Sequence, residues 1–540
     1  MKRILASLFP ILVFGCFPAL SLYAENRHEA SFAMIIDPIL FILGFGLIVW
    51  LFLFLLFRDP TGASTVVTVF LLLSFSFRHI SNAINQPYGN DVAFGIWIAG
   101  LVGGIWAALV PRVAKPLFRT ISVAALVLAA LTVFRVAWSQ SDVQGNVQQT
   151  EQTIESLGLD SSEATAKPDV YFIIFDRYAN AESLRRYVKY DNTDFLNTLK
   201  GKGFSIDNSS RSNYPITLYS VSSTLNLNYH DDLTEKYGRG RATLQPLFEE
   251  LKDHLAGRLF KSQGYQYLHL GSWWTPTRTS PIADQNLTLT TTSDITRMIY
   301  ETSVFSDIAT RFKFSAIGFR LFRIRQVHAL QSQHQFATLK RIPENPNPTF
   351  TFAHVLLPHR PYVFREDGST RSYDEASGRP GTDNYRDQLI YANGQILDLV
   401  DEIIKKSDTP PIIIMEADEG PYPDRYVNNE DEFGPRWTDS SDEELRMKTG
   451  VLNAWYVPES LRGDLRLPHT PVNTFREIFR LLFHADVPAL PDVSYIFPDR
   501  GEAYNFIDVT DRVTKEVPDC SDQEPCPAGS IPGIEGDRDP

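Results

Sequence analysis

The sequence predicts a two-part chain: a bundle of about five transmembrane helices, followed by an α/β domain whose mostly parallel sheet is sandwiched by helices. Three observations predict it. The strongly apolar stretches crowd into the first quarter of the 540 residues. Beyond them, short continuous apolar runs alternate with helical patterns, and those runs end near residues able to serve chemistry. The boundaries that follow are 1–138 for the membrane region, 139–167 for a linker, 168–515 for the α/β domain and 516–540 for a tail.

The apolar stretches run from Ile4 to Tyr23, Met34 to Phe57, Ser64 to Phe77, Val92 to Val110 and Phe118 to Trp138. Most approach the ~20 residues that cross a bilayer as a helix. The first also fits a signal peptide, with Lys2 and Arg3 before the apolar run and Ala19-Leu20-Ser21 at its end. Around Cys16, Val13-Phe14-Gly15 is a poor lipoprotein box because Phe14 is bulky where a small residue is needed. Lysine and arginine bias sets the orientation. With the N-terminus inside, the inner segments hold Lys2, Arg3, Arg58, Arg112, Lys115 and Arg119, against Arg27, Arg78 and Arg135 outside. Everything after Trp138 is then extracytoplasmic. The stretch from Ser139 to Lys167, rich in Gln, Ser, Glu and Thr, has little to pack and reads as a linker.

In the second part, Asp169-Val-Tyr-Phe-Ile-Ile-Phe175 is an unbroken apolar run suited to a strand buried on both faces. Tyr265 to Leu270, Thr349 to Leu357 and Pro411 to Met415 repeat it, with a helical pattern over Tyr391 to Lys406. The formal charge of -13, without any cluster of Lys and Arg, argues against a nucleic-acid partner. Cys520 and Cys526, six residues apart in the acidic tail, suit a small disulfide outside the cytoplasm.

In parallel sheets, ligands gather beyond the carboxyl ends of the strands. The residues to inspect there are Asp176, His354 with His359, and Asp418 with Glu419. A further segment, Asn213-Tyr-Pro-Ile-Thr217-Leu-Tyr-Ser, places Pro215 at the start of a helix and Thr217 in its first turn. There the helix dipole and free N–H groups favour an oxyanion or phosphate. A threonine hydroxyl needs a base or metal to become a useful nucleophile, and Asp176 and Asp418 at strand ends are placed to supply it.

These pieces, read in order, resemble the alkaline phosphatase superfamily. Within it they are similar to the membrane-anchored lipoteichoic acid synthases and the phosphoethanolamine or phosphoglycerol transferases. The matching segments are Lys167 to Tyr178, the Thr217 segment, His354-Val-Leu-Leu-Pro-His359-Arg-Pro-Tyr, Ala417-Asp418-Glu419-Gly420-Pro421 and Gly450 to Pro458. The resemblance spans roughly Lys167 to Asp508, and the ordered set is more specific than any one segment. It implies an alkaline-phosphatase-like (sulfatase-like) sheet on the outer side of a bacterial inner membrane. It also implies transfer of a phosphoglycerol- or phosphoethanolamine-type head group from a membrane phospholipid to an envelope glycan or lipid, through a threonine-linked intermediate. By the same resemblance Thr217 is the nucleophile, Asp176, Thr217, Asp418 and Glu419 hold a divalent cation, and His354 and His359 face the substrate phosphate.

One departure is chemical. The family usually reads Asp-His-Gly where this chain has Asp418-Glu419-Gly420. An all-oxygen set moves the preferred cation from zinc toward manganese, magnesium or calcium. Two alternatives stand beside transfer: phosphodiester hydrolysis, and a lipid-binding or regulatory relative that lost its metal. Sulfate-ester chemistry is disfavoured, because Thr217 stands where sulfatases of this superfamily carry the Cys or Ser that becomes formylglycine.

Overall fold

The computed structural model describes residues 2–25, 32–84, 89–138, 167–240, 244–289, 294–311, 324–426, 436–515 and 532–537. Residues 139–166 of the expected linker, together with Cys520 and Cys526, lie outside them. Contacts divide the chain into two compact units, one comprising residues 1–144 and 291–323, the other 145–290 and 324–540.

The first unit contains α1 (Lys2–Glu25), α2 (Ile36–Phe57), α3 (Pro60–Phe75), α4 (Phe77–Ala83), α5 (Gly89–Leu109) and α6 (Pro111–Trp138). Among the described residues four helices are long and apolar enough to cross a membrane, or five if α3 and α4, bent by 53° at Ser76, form one span. Asp59 starts α3 by accepting from the Thr61 and Gly62 amides at 3.1 Å, and Pro60 occupies the first turn, where it forfeits no intrahelical bond. Small residues let helices approach: Gly104 of α5 lies against Val69 of α3, and Gly46 of α2 against Ile11 of α1. Leu40, Phe41, Phe52, Leu55 and Leu56 of α2 stay exposed, as a lipid-facing surface requires.

Two helices from much later in the chain complete this unit. Helix Asp294–Thr302 buries Ile295 and Ile299 in the cluster containing Ile11 and Phe14. Helix Val304–Arg311 sets Phe305 edge-on against Phe70 and Phe75, while Arg311 pairs with Asp91 at 2.7 Å over the Phe94 ring. The sequence pattern assigned this stretch to the α/β domain, because nothing in an amphipathic helix names the surface its apolar side will cover.

The second unit is a seven-stranded sheet with helices on both faces. Its strands are β1 (Val170–Phe175), β2 (Ser205–Ile206), β3 (Gln266–Leu270), β4 (Gln285–Asn286), β5 (Thr349–Val355), β6 (Ile412–Glu416) and β7 (Asn453–Tyr456), in the order β2-β7-β6-β1-β5-β3-β4. The five from β6 to β4 are parallel, and β7 and β2 run antiparallel at one edge. The four expected strands are present to within one or two residues.

The continuous apolar runs follow from burial on both faces. Val170, Phe172 and Ile174 of β1 enter one core with Phe260 and Phe475, whereas Tyr171, Ile173 and Phe175 enter the other with Leu389 and Ile396. The first core is aromatic: Phe260 stacks on Phe350 at 4.2 Å and Phe172 meets Phe475 edge-on at 4.9 Å. Each such side chain contributes about 1.5–3 kcal/mol by leaving water. A charge introduced at Ile173 would break the center of the sheet, since its neighbours Ala353 and Met415 are fully buried too.

Candidate active site

β1 lies between β5 and β6, so the carboxyl ends of three adjacent parallel strands open side by side. Asp176 follows β1 immediately and is fixed by its amide, which donates to the Val355 carbonyl at 2.9 Å. His354 is the penultimate residue of β5, in register with Ile174. Asp418 stands two residues past β6. The result is a buried group in which one ligand atom each from Asp176, His354 and Asp418 lies within 4.8 Å of the others.

His354 Nε2 is 3.2 Å from Asp176 Oδ2, and the Arg177 amide donates to Asp418 Oδ1 at 3.2 Å. Arg177 makes that bond from a left-handed backbone, φ 64°, which costs a non-glycine residue energy and is kept by its surroundings. Asp176 Oδ1 and Asp418 Oδ2 are buried without any hydrogen-bond partner. Burial, and then the charge of Asp176, pushes the Asp418 carboxyl up to about 6, against the favourable influence of His354, Thr217 and Lys448. Two orphaned carboxylate oxygens and one imidazole nitrogen make a donor set that fits a divalent cation. With nitrogen in the set, the all-oxygen argument from Glu419 no longer applies to this group.

Thr217 is the first residue of helix Thr217–Leu225, and no side chain caps that terminus. Pro215 lies before the capping residue Ile216 rather than within the first turn. Thr217 is among the groups that lower the Asp418 pKa, so the nucleophile expected from sequence stands near the acidic group.

The remaining expected residues sit differently. Glu419 lies outside the three-residue group: its Oε1 is 3.1 Å from Arg177 Nε and 2.8 Å from Lys448 Nζ. Burial raises its pKa, with Lys448 and Arg177 pulling the other way. Lys448, itself fully buried, also donates to the Gly420 carbonyl at 2.9 Å and lies 3.5 Å from the Tyr422 ring centroid. Desolvation brings its ammonium down to about 8. His359 is half-buried, with Nδ1 turned to the Arg360 carbonyl. Burial and the charges of Arg177 and Arg360 hold it well below the ordinary histidine range.

Sequence reasoning passed over Arg177 and Arg360, although each directly follows a residue it selected. Arg177 pairs with Glu419 and with Glu535, and Arg360 Nε lies 3.3 Å from Glu535. It also passed over a buried chain of hydrogen bonds that ends on His354. The Gly257 amide donates to His254 Nδ1, His254 Nε2 meets the Tyr267 hydroxyl at 2.8 Å, and Tyr267 meets His269 Nδ1 at 2.9 Å. His269 Nε2 then donates to the Thr277 carbonyl, and the Thr277 hydroxyl is 2.8 Å from His354 Nδ1. Read in this direction, both inner histidines are neutral. Burial agrees, bringing His254 down to about 3 and His269 to about 4.

The class these atoms define is a helix-flanked parallel sheet with a buried Asp-His-Asp group at its carboxyl edge and a threonine at a helix start beside it, in a chain with four or five bilayer-length helices. No family model and no curated protein matches the chain. Among solved structures it is similar to the C-terminal periplasmic domain of EcEptC from Escherichia coli, at 10% identity and TM-score 0.41, over 65% of this chain and 95% of that one. It is similar to the integral membrane protein lipooligosaccharide phosphoethanolamine transferase A from Neisseria meningitidis, at 12% identity and TM-score 0.39, over 89% of this chain and 95% of that one. A putative sulfatase from Bacteroides fragilis matches at 11% identity and TM-score 0.36, over 63% and 83%. Likeness this remote fixes neither activity nor ligand.

Proposed function

We propose that this chain is a membrane-anchored, metal-dependent transferase that moves a phosphoethanolamine- or phosphoglycerol-type head group from a phospholipid to an envelope glycan or lipid, with Thr217 as nucleophile. The observation that carries it is the buried Asp176–His354–Asp418 group, with Thr217, at a helix start, among the groups that hold the Asp418 pKa down. In this reading those three residues hold the cation, His359 contacts phosphate, and Glu419 serves the neighbouring ion pairs. A divalent cation bound there supplies charge neutralisation of phosphate oxygens and a lower pKa for a bound hydroxyl.

The chain's own groups do the rest. The Thr217 proton passes to solvent as the Thr217 oxygen bonds to phosphorus and the bond from phosphorus to the lipid glycerol oxygen breaks. The lipid alkoxide leaves and is protonated from solvent. An acceptor hydroxyl then repeats the displacement and frees Thr217. The first turn of helix Thr217–Leu225 offers backbone N–H groups to the phosphate oxygens. The Lys and Arg bias of the first 138 residues supports an inner-membrane protein whose second unit is extracytoplasmic, on the side where envelope acceptors are found.

The test is head-group transfer from labelled phospholipid by the full-length Thr217→Ala chain. Loss of transfer is expected, and transfer at the wild-type rate would refute the mechanism. Free head group as the sole product, with acceptor present, would assign hydrolysis instead. A non-catalytic reading draws on one observation, the commitment of Glu419 to Arg177 and Lys448. A metal content near zero in the purified chain would favour it.

A further inference from the structure

Beside the acidic group lies a second set of charges that the proposed reaction does not use. Arg177, Lys448 and Arg360 bring positive charge, Glu419 answers part of it, and Glu535, which is 2% exposed, answers another part. One Glu535 oxygen pairs with Arg177 and the other lies 3.3 Å from Arg360 Nε, so a single carboxylate bridges two guanidinium groups. Phosphate is bound by arginine in the same bridging fashion.

Glu535 arrives on a short segment, residues 532–537, laid across residues 422–424. The Asp424 amide donates to the Gly533 carbonyl at 2.9 Å and the Glu535 amide to the Tyr422 carbonyl at 3.1 Å. Ile534 is its buried apolar anchor, and Asp537 pairs with Arg325 and accepts from the Tyr362 amide. Passage for this segment is written into the domain. A Cβ at Gly381 would stand 2.1 Å from the Glu535 carbonyl oxygen and 2.3 Å from that of Ile534, so Gly381 has to lack one. Such a strap is held by few backbone bonds, one apolar side chain and the ion pairs of Glu535 and Asp537, so charge takes the part that apolar burial plays in a core strand.

We infer that Arg177 and Arg360 form a phosphate subsite next to the acidic group, and that Glu535 holds this subsite as an internal competitor that a phosphate-bearing ligand displaces. The Arg177 amide on Asp418 and its guanidinium 3.9 Å from Asp176 put this subsite directly beside the acidic group. The identity of the natural ligand rests on the transferase reading, whereas binding and displacement do not need turnover.

The experiment therefore uses inorganic phosphate on the detergent-solubilised full-length chain, in the Thr217→Ala form as well as the wild type. Hydrogen exchange is followed at the Glu535 and Asp424 amides. Saturating phosphate should speed exchange at both by at least roughly fivefold, in both proteins, as the strap detaches. Arg360→Gln, at a half-exposed position that tolerates change, should weaken phosphate binding about tenfold, and Glu535→Gln should tighten it by a similar factor. Unchanged or slower exchange at saturating phosphate, or phosphate affinity indifferent to Arg360→Gln, would overturn the subsite. Should Glu535→Gln fail to fold, the wild-type exchange measurement decides alone. Loss of transfer in Thr217→Ala with strap displacement intact would separate this inference from the catalytic one.

Discussion

The peptide bond between Asp176 and Arg177 joins two buried charge clusters of opposite design. On one side Asp176, Asp418 and His354 converge with two carboxylate oxygens left without partners. On the other side Glu419 and Glu535 are matched against Arg177, Lys448 and Arg360. Buried like charges in a protein are tolerated only for a ligand or a function, while buried opposite charges stabilise one another once both are in place. The first cluster is short of positive charge; the second draws opposite charges from its own chain, three cations to two carboxylates. Removing a charge should therefore have opposite consequences on the two sides.

The largest effect belongs to Asp418→Asn. It should abolish head-group transfer and bring the divalent metal content of the purified chain close to zero. The same change should stabilise the metal-free protein. Asp418 has its folded pKa raised from 3.8 to about 6, so its ionised form carries a penalty that is full above about 6 and disappears as pH falls through 3.8. That shift corresponds to about 3 kcal/mol at pH 8. Thermal unfolding of metal-free wild type and variant at pH 8 and pH 4 measures it. Equal stability at pH 8 would erase the distinction between the clusters.

Lys448→Met tests the other side, with the sign reversed. It leaves Glu419, 1% exposed, with Arg177 as its remaining close cation. The expected loss near pH 6.5, below the Lys448 pKa of about 8, is about 3 kcal/mol, the scale of breaking a buried pair from one side. Glu419 already has a raised pKa, so the loss shrinks as acid protonates it. Glu419→Gln added to Lys448→Met should recover most of the stability, and a double variant no better than the single would sink the pairing argument.

This contrast also explains what could be read without coordinates. Strands buried on both faces announce themselves as apolar runs, and β1, β3, β5 and β6 were legible for that reason. Their ends delivered Asp176, His354 and Asp418, and helix patterning delivered Thr217. The helix expected over Tyr391 to Lys406 begins instead at Gly381, because its first turns pack through polar atoms: Asn384 and Asp387 bond to Arg371, and Gln388 to the His359 carbonyl. Those polar contacts thin the apolar pattern, leaving Tyr385 and Leu389 as the core residues of the early turns. The partners of Glu419 were illegible for a related reason. The lysine and arginine that answer it come from a separate helix and from the second residue after β1, and pairing across a fold leaves no local pattern. Glu535, carried on a strap with one apolar anchor, left even less.

The smallest expected effect concerns how firmly the first cluster is held. Thr277 is 1% exposed and joins His354 Nδ1 to the histidine chain, while its hydroxyl also lies 2.9 Å from that of Ser272. Because a hydroxyl both donates and accepts, Thr277 suits either His354 tautomer and fixes the ring with Nε2 toward Asp176. Partners of this kind typically tune metal affinity by about 10–100-fold. Thr277→Val keeps the shape and removes the bond, so affinity for manganese or zinc, measured by chelator competition, should fall about tenfold. The unfolding midpoint should move little, since Ser272 retains the Trp274 amide as a donor. Unchanged metal affinity in Thr277→Val would mean that packing alone orients His354, and the two clusters would then differ in charge without differing in how their members are positioned.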